Sequence, residues 1–358
     1  MISWTSATRN LASQWLRGRI YPMPENVCVA ASASAVARPF ACFSLTKKPR
    51  AAERLHLDNC LQCRACETVC PSHMAFGQLF DQARVQLLVK PSWLAKLALM
   101  LIENKIWLRR LMPLLALYLK SGLQKPLRRS GLLKQLHLAE AKALLGKPAL
   151  QALSERYPTS VTQRGRVALF TGCIAEHFDR ETLLAAIKLL NAIGYEVLVP
   201  PQQGCCGAIH QHNGQSAAGL IDTNIAVFNA LNVDAVLHTA TGCGAMLSEY
   251  QNDDEAGQLF RQRLCDISEF LVLYWPDDLQ LMPSSLKVAV HEPCSQRNIL
   301  KNQAAVYALL QKIPGLSVVS LADNHICCGA GGSCMLTHPA YAVIIYMNLL
   351  YCLIYNDG

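Results

Sequence analysis

Residues 166–207 read RVALFTGCIAEHFDRETLLAAIKLLNAIGYEVLVPPQQGCCG, and this stretch decides the fold. It opens on an apolar, β-branched run, 166–171, that reads as a strand and ends at Gly172-Cys173. Residues 180–193 carry apolar side chains at three- and four-residue steps, an amphipathic helix stopped by Gly194. A second strand spans 196–200, and Gly204-Cys205-Cys206-Gly207 is a tight loop. A helix over 217–231 then leads to a third strand, 235–239, which runs out at Thr241-Gly242-Cys243. Strands alternating with helices predict a parallel sheet with right-handed crossovers.

The same succession restarts downstream as an internal repeat. Residues 287–291 read as a strand ending at Glu292-Pro293-Cys294, 304–312 as a helix, 316–321 as a strand, and Cys327-Cys328-Gly329 as the loop. Cys173 and Cys205 lie 32 positions apart, and Cys294 and Cys327 lie 33 apart. Two copies of one strand–cysteine–helix–strand–Cys-Cys-Gly unit therefore share a register.

Upstream, Cys60, Cys63, Cys66 and Cys70 with Pro71 spell C-x2-C-x2-C-x3-C-P. That spacing lets three thiolates from one tight turn cap one cubane [4Fe–4S] cluster, while the fourth cysteine commonly reaches another cluster. Structural zinc would want two ligand pairs separated by a longer loop, so the run is read as iron–sulfur. Within the repeats, adjacent cysteines can bridge two irons, and glycine admits backbone close to them. Cys173, Cys205, Cys206 and Cys243 converge at strand ends, where open α/β sheets place ligands. The plainer reading, that buried cysteines are small hydrophobes, suits Cys265 and Cys352. Cys334 stays open. His210 and His212 flank the first loop and read as surface or hydrogen-bonded residues rather than ligands.

Composition narrows the class. The chain has 358 residues, 52% of them hydrophobic and 16% charged, with 16 cysteines. That excludes a disordered tail, and cysteines in metal-type clusters argue against a disulfide scaffold and for a reducing compartment. Residues 1–150 hold 22 basic against 7 acidic side chains, and 151–358 hold 11 against 18. A basic half joined to an acidic half predicts two domains with different neighbours. The basic, leucine-rich region carries Lys105, Arg109, Arg110, Lys120, Lys125, Arg128, Arg129 and Lys134. It is expected to make a peripheral contact with anionic membrane or a partner subunit. Few aromatics interleave its charges, so nucleic acid is not expected.

Residues 55–150 read as helical over 76–88, 93–107, 111–119 and 131–145, punctuated by Pro91, Pro113, Pro126 and Pro148. Residues 153–164 read as a polar linker. No run reaches the ~20 apolar residues of a spanning helix. The first 24 residues carry Arg9, Arg17 and Arg19 with no acid before Glu25, a composition like a transit peptide, and no apolar signal region is present. No dinucleotide or flavin fingerprint is visible.

The ferredoxin-like run Cys60-Leu-Gln-Cys63-Arg-Ala-Cys66-Glu-Thr-Val-Cys70-Pro71, followed by two cysteine-rich repeats, resembles the glycolate oxidase (glycolate dehydrogenase) iron–sulfur subunits. The wider group includes the lactate-utilisation iron–sulfur protein, the C subunit of anaerobic glycerol-3-phosphate dehydrogenase and the B subunit of heterodisulfide reductase. The segments Leu169-Phe-Thr-Gly-Cys173, Gly204-Cys-Cys-Gly-Ala208, Thr241-Gly-Cys-Gly244 and Ile326-Cys-Cys-Gly-Ala330 carry it across residues 55–340.

The resemblance implies a helical ferredoxin-type domain, 55–152, then an α/β domain of two Rossmann-like cysteine-rich (CCG) repeats, 165–275 and 286–340, the second incomplete. It implies an electron-transfer subunit of a membrane-associated 2-hydroxy-acid dehydrogenase, cytoplasmic or peripheral on the inner face of the cytoplasmic membrane. Electrons would pass from an FAD-containing partner to a quinone or other acceptor. A heterodisulfide-reductase-like or lactate-oxidising redox subunit, or a non-catalytic cluster-bearing interaction protein, are the alternatives. By the same resemblance Cys60, Cys63 and Cys66 hold a cubane with one outside ligand, and Cys70, Cys294, Cys327 and Cys328 are further metal ligands. Cys173, Cys205, Cys206 and Cys243 fall on positions that bind a second cluster, although Ala240 stands where one relative has a further cysteine. Residues 1–54, with Cys28 and Cys42, and the apolar tail 341–358 depart from the family pattern and are expected to lie outside its fold. At most one cubane and one non-cubane cluster are expected.

Overall fold

The computed structural model describes residues 60–72, 74–87, 93–122, 148–252, 254–321, 324–325, 327–329 and 331. The expectations for 1–54, the helix over 131–145, Cys334, Cys352 and the tail 341–358 lie outside these residues.

One helical turn, α1 (Ala65–Thr68), follows Cys60 and Cys63, carries Cys66 and precedes α2 (Phe76–Leu87). Phe76, Phe80 and Ala83 recur on one side of α2 and pack against Cys60, Cys66, Cys70 and Leu79, seating the thiol loop on an apolar stripe. Next come α3 (Trp93–Glu103) and α4 (Lys105–Lys120). The apolar rhythm predicted helices over 93–107 and 111–119; the break falls instead at Asn104. Its backbone is extended, and its Oδ1 accepts from Ile106 N–H and Trp107 N–H at 3.1 and 3.2 Å. A side-chain N-cap restarts the helix there. Pro113 lies inside α4, forgoing one bond to the carbonyl four residues back, while Leu108 and Met112 are buried on its inner side.

The α/β part runs β1 (Arg156–Tyr157), β2 (Gly165–Phe170), α5 (Ala175–Phe178), α6 (Arg180–Ala192), β3 (Tyr195–Leu198), α7 (Ala208–His212), α8 (Ala218–Asn229), β4 (Ala235–His238), α9 (Thr241–Ser248), α10 (Glu255–Arg263), β5 (Leu264–Asp266) and α11 (Ile267–Tyr274). The sheet order is β1-β3-β2-β4-β5. β3, β2, β4 and β5 are parallel, and β1 closes one edge antiparallel to β3. The polar stretch predicted as a linker thus supplies an edge strand. Thr159 Oγ1 also donates to the Asn191 carbonyl at 2.7 Å, so its polar groups are used in pairing.

Both faces of this sheet are covered, which is why its strands are apolar without alternation. Ala168, Phe170 and Val236 face Leu220, Ile225, Phe228 and Phe260. Val167, Leu169, Val197 and Leu237 face Leu183, Ile187, Leu190, Phe270 and Leu271 on the other side. The thiols of Cys173, Cys205 and Cys206 belong to the first of these cores.

The chain continues through β6 (Lys287–Val290), a π-helical turn (Ser295–Leu300), α12 (Gln303–Leu310) and β7 (Ser317–Ser320). β6 and β7 pair in parallel as a separate two-stranded sheet. Ser295 Oγ donates to Thr241 Oγ1 at 2.9 Å and Asn302 Nδ2 to Glu269 Oε2 at 2.9 Å, binding this unit to α9 and α11 of the first.

Candidate metal centres

Apart from Cys265, the described cysteines gather into three groups. Cys60 and Cys63 come from the loop that opens α1, and Cys66 from α1 itself. Between them Gln62 and Arg64 hold φ of +54° and +57°, left-handed values that a non-glycine residue adopts only where its surroundings impose them. Burial, aided by Cys63, pushes the Cys60 thiol up to about 11. Burial with Cys60 and Cys63 pushes Cys66 up to about 12, so the three thiols share one site. A small cleft opens on it, lined by Cys60 and Cys66 with Arg64, Phe76, Phe80 and His212 among others. Cys70 follows α1 and packs on the same apolar stripe as Cys60 and Cys66.

Arg64 anchors this loop. It is 8% exposed, and its guanidinium reaches Glu67 Oε1 and Glu249 Oε2, each at 2.8 Å. Gly77 passes so close to that guanidinium that a Cβ would overlap it.

The second group stands at the carboxyl edge of the large sheet. Cys173 follows β2, Cys205 and Cys206 lie between β3 and α7, and Cys243 is in the first turn of α9. The thiols of Cys173 and Cys206 donate to Cys205, which holds Cys205 far below the ordinary thiol range. The hydrogen bond to Cys205, with burial, raises Cys173 well above that range, and bonds to Cys205 and Cys243 do the same for Cys206. Four thiols therefore form one connected set. Tyr250 OH donates to the Cys206 carbonyl at 3.0 Å and Asn224 Nδ2 to the Cys205 carbonyl at 2.9 Å, fixing the loop from behind.

The third group, Cys294, Cys327 and Cys328, repeats this construction. Gly207 N–H donates to Cys205 Sγ and Gly329 N–H to Cys327 Sγ, both at 3.4 Å. The two glycines hold φ of +91° and +78°, which only glycine adopts freely. Gln203 takes Thr171 N–H at 2.7 Å and donates to the Leu169 carbonyl at 3.1 Å. Asn324 takes Glu292 N–H and donates to the Val290 carbonyl, both at 3.0 Å. In each case one amide clasps the strand end two and four residues before the first cysteine. A hydrogen bond with Cys327 lowers Cys294, and bonds to Cys294 and Cys328 raise Cys327.

The first and third groups adjoin. Asn298 Nδ2, on the π-helical turn, donates to the Cys63 carbonyl at 2.6 Å. Burial raises the Cys63 thiol, and Cys294 lies near enough to raise it further. Gly331 rests directly on the Leu61 carbonyl, where a Cβ would collide.

Charge is set around the second group by Glu176, whose side chain is 3% exposed. Arg109 Nη2 reaches Glu176 Oε1 at 2.8 Å, and Lys105 Nζ reaches Oε2 at 3.4 Å and Thr171 Oγ1 at 3.0 Å. Burial opposes the carboxylate, yet Lys105 and Arg109 hold its pKa below the ordinary value. These two bases, read from the sequence as part of a basic surface, are instead spent inside the chain. Lys105 also acts electrostatically on Cys173.

Of the two readings of His210, surface or hydrogen-bonded, the structure takes the second: it is 4% exposed, and its pKa is raised chiefly by a hydrogen bond to Cys205. Its place four residues past Cys206 was the available signal. His212, near Asp81 Oδ1 at 3.8 Å, borders the first cleft instead. Cys265 lies in β5, with burial pushing its thiol up to about 11.

Among the described residues no three His, Cys, Asp or Glu side chains close to single-ion distance. A cluster of several irons and sulfides instead asks for thiols arranged around a larger body. Three groups of neighbouring thiols, buried or half-buried, with loop N–H groups directed at Cys205 and Cys327, fit that demand.

The cysteine-rich domain family matches residues 167–248 and 288–349, so its second match runs past 340. The linker region of glycolate oxidase iron–sulfur subunits matches 90–145. A probable glycolate oxidase iron–sulfur subunit of Bacillus subtilis is 36% identical over 299 residues, 77% of this chain and 67% of that protein. The glycolate oxidase iron–sulfur subunit of Escherichia coli is 28% identical over 309 residues, 80% and 70% of the two chains. A lactate utilization protein A from an Exiguobacterium species is 27% identical over 192 residues, 49% of this chain and 76% of its own. By the thiol groups it assembles and the relatives it matches over two thirds of their length, this chain belongs to the family of glycolate oxidase iron–sulfur subunits.

Proposed function

We propose that this chain is the iron–sulfur electron-transfer subunit of a glycolate oxidase, carrying electrons from an FAD-containing partner subunit towards a quinone or other acceptor. The observation that carries this reading is the contact between thiol groups: Asn298 joins the Cys63 loop to the Cys294 group, and Ser295 joins that group to α9, which bears Cys243. Bound clusters would supply one-electron transfer. The residues present fit a ferredoxin-type helical domain followed by two cysteine-rich repeats. Cys60, Cys63 and Cys66 would hold a cubane [4Fe–4S] cluster, with Cys70 or the adjoining Cys294 as further thiols of that region. Cys173, Cys205, Cys206 and Cys243 would hold a second cluster.

The chain's own residues do the positioning. Arg64 and Asn298 hold the Cys60–Cys66 loop against the α/β part, and Gly207 and Gly329 direct N–H groups at ligand sulfurs, which favours thiolate. Trp93, Met100, Ile106, Trp107, Leu114 and Leu117 are each more than half exposed on α3 and α4. We assign this apolar face to peripheral contact with the flavoprotein or an anionic membrane. Among the described residues no helix is long and apolar enough to cross a membrane.

Iron and sulfide analysis with electron paramagnetic resonance on anaerobically purified protein tests the reading. It predicts clusters lost in C63S and C205S variants, and glycolate oxidation only when the flavoprotein subunits are added. Turnover of glycolate by the flavin-free subunit alone would refute it.

A further inference from the structure

We propose that His210 is a fifth protein ligand of the second thiol group, binding iron beside Cys173, Cys205, Cys206 and Cys243. The proposal rests on the reading that these thiols hold an iron–sulfur cluster.

His210 is carried on α7, which begins directly after the Cys-Cys-Gly loop. The imidazole is 4% exposed, yet among the described residues neither ring nitrogen has a hydrogen-bonding N or O partner of ordinary geometry. Its close polar neighbours are the Cys205 thiol and the Leu99 backbone. Burying an imidazole whose two nitrogens lack a well-formed hydrogen bond is unfavourable unless something else satisfies it, and a metal beside Cys205 would do so. The other buried histidines differ. His177 Nδ1 meets the Ala149 carbonyl at 3.1 Å, and His238 faces Asp266 at 3.6 Å; neither has a thiol partner.

Two further features agree. Glu103 Oε2 lies 3.9 Å from His210 Nε2, longer than a hydrogen bond but near enough to close up behind a metal-bound imidazole as carboxylates do. Charge points the same way. Four cysteine sulfurs already gather in a site whose nearby cation is Lys105, each bringing negative charge when it binds a metal, and a neutral imidazole adds a donor without adding more.

The test uses the full chain with its clusters, purified anaerobically, as wild type and as His210→Ala, His210→Cys and Cys205→Ser. Pulsed electron paramagnetic resonance on protein with ¹⁴N- and ¹⁵N-histidine reads directly bound nitrogen. The expected result is a strongly coupled nitrogen that changes with the isotope and is lost in H210A and H210C. H210C should also lower the midpoint potential of this centre, because a thiolate replaces a neutral ligand. A Cys205-dependent signal with no strongly coupled nitrogen, or a coupling that survives in H210A, overturns the ligand assignment while leaving the cluster reading intact. If C205S keeps the full iron content and every cluster signal, the cluster reading itself falls and takes the proposal with it.

Discussion

Replacing Glu176 by Gln removes a charge with almost no change of volume, and three side chains set the consequence. Glu176 is 3% exposed and Lys105 10% exposed, with Nζ and Oε2 3.4 Å apart. Arg109 closes to 2.8 Å but is 35% exposed, so solvent screening limits its share to about 0.5 kcal/mol. The buried Lys105–Glu176 pair dominates. Removing one partner of such a pair leaves an uncompensated charge and costs about 3 kcal/mol. Burial already lowers the Lys105 pKa against the pull of Glu176, so in E176Q its proton is held more weakly still.

The assay is hydrogen–deuterium exchange of α4, because this pair ties α4 to α5 and β2, and local opening reads the loss directly. At 1.4 kcal/mol per tenfold, α4 amides in E176Q should exchange about 100-fold faster. The double variant K105M/E176Q should recover most of that protection, since no buried charge is left over. The pH dependence has a defined sign. Glu176 is depressed below its unfolded value near 4.5, so its contribution is complete above that pH. It is lost as pH falls through the lower folded value, and E176Q lacks this acid step. Unchanged α4 exchange in E176Q, or no recovery in the double variant, would refute the reasoning.

Three further outcomes are expected. Burial lowers the His238 pKa from 6.5 to about 4. Stability should be complete above pH 6.5 and fall between pH 6.5 and 4, by at most about 3 kcal/mol at 1.36 kcal/mol per unit; urea midpoints against pH should show this slope flattened in H238N. Gly244→Ala puts a methyl into the His238 ring, so its denaturation midpoint should drop by the equivalent of about 1–3 kcal/mol. Relief in G244A/H238A is required, and additive losses would exclude the steric account. Asn298→Ala removes the bond to the Cys63 carbonyl, worth about 1 kcal/mol, and should speed chelator removal of iron; equal release rates would show that this contact does not hold the loop.

The residue pattern by itself determined the short-range features. Cysteine spacing placed the thiols on strand ends and tight loops, and apolar steps located β2, β3, β4, α6 and α8 to within a few residues. Such signals are readable because they arise within one or two turns of chain. Glycine at the third place of each Cys-Cys-Gly loop belongs here too, since its positive φ is a local requirement. Tertiary structure alone decided what crosses the chain. Arg64 finds Glu249 across 185 positions and Asn298 finds the Cys63 carbonyl across 235. The polar stretch 153–164 becomes an edge strand because β3 has an unpaired side there. Lys105 and Arg109 look like surface charge until α5 brings Glu176 beneath them, and only burial decides between a surface and a hydrogen-bonded His210. Each of these depends on a partner distant in the chain or on burial by another layer, and a single strand or helix carries no trace of either.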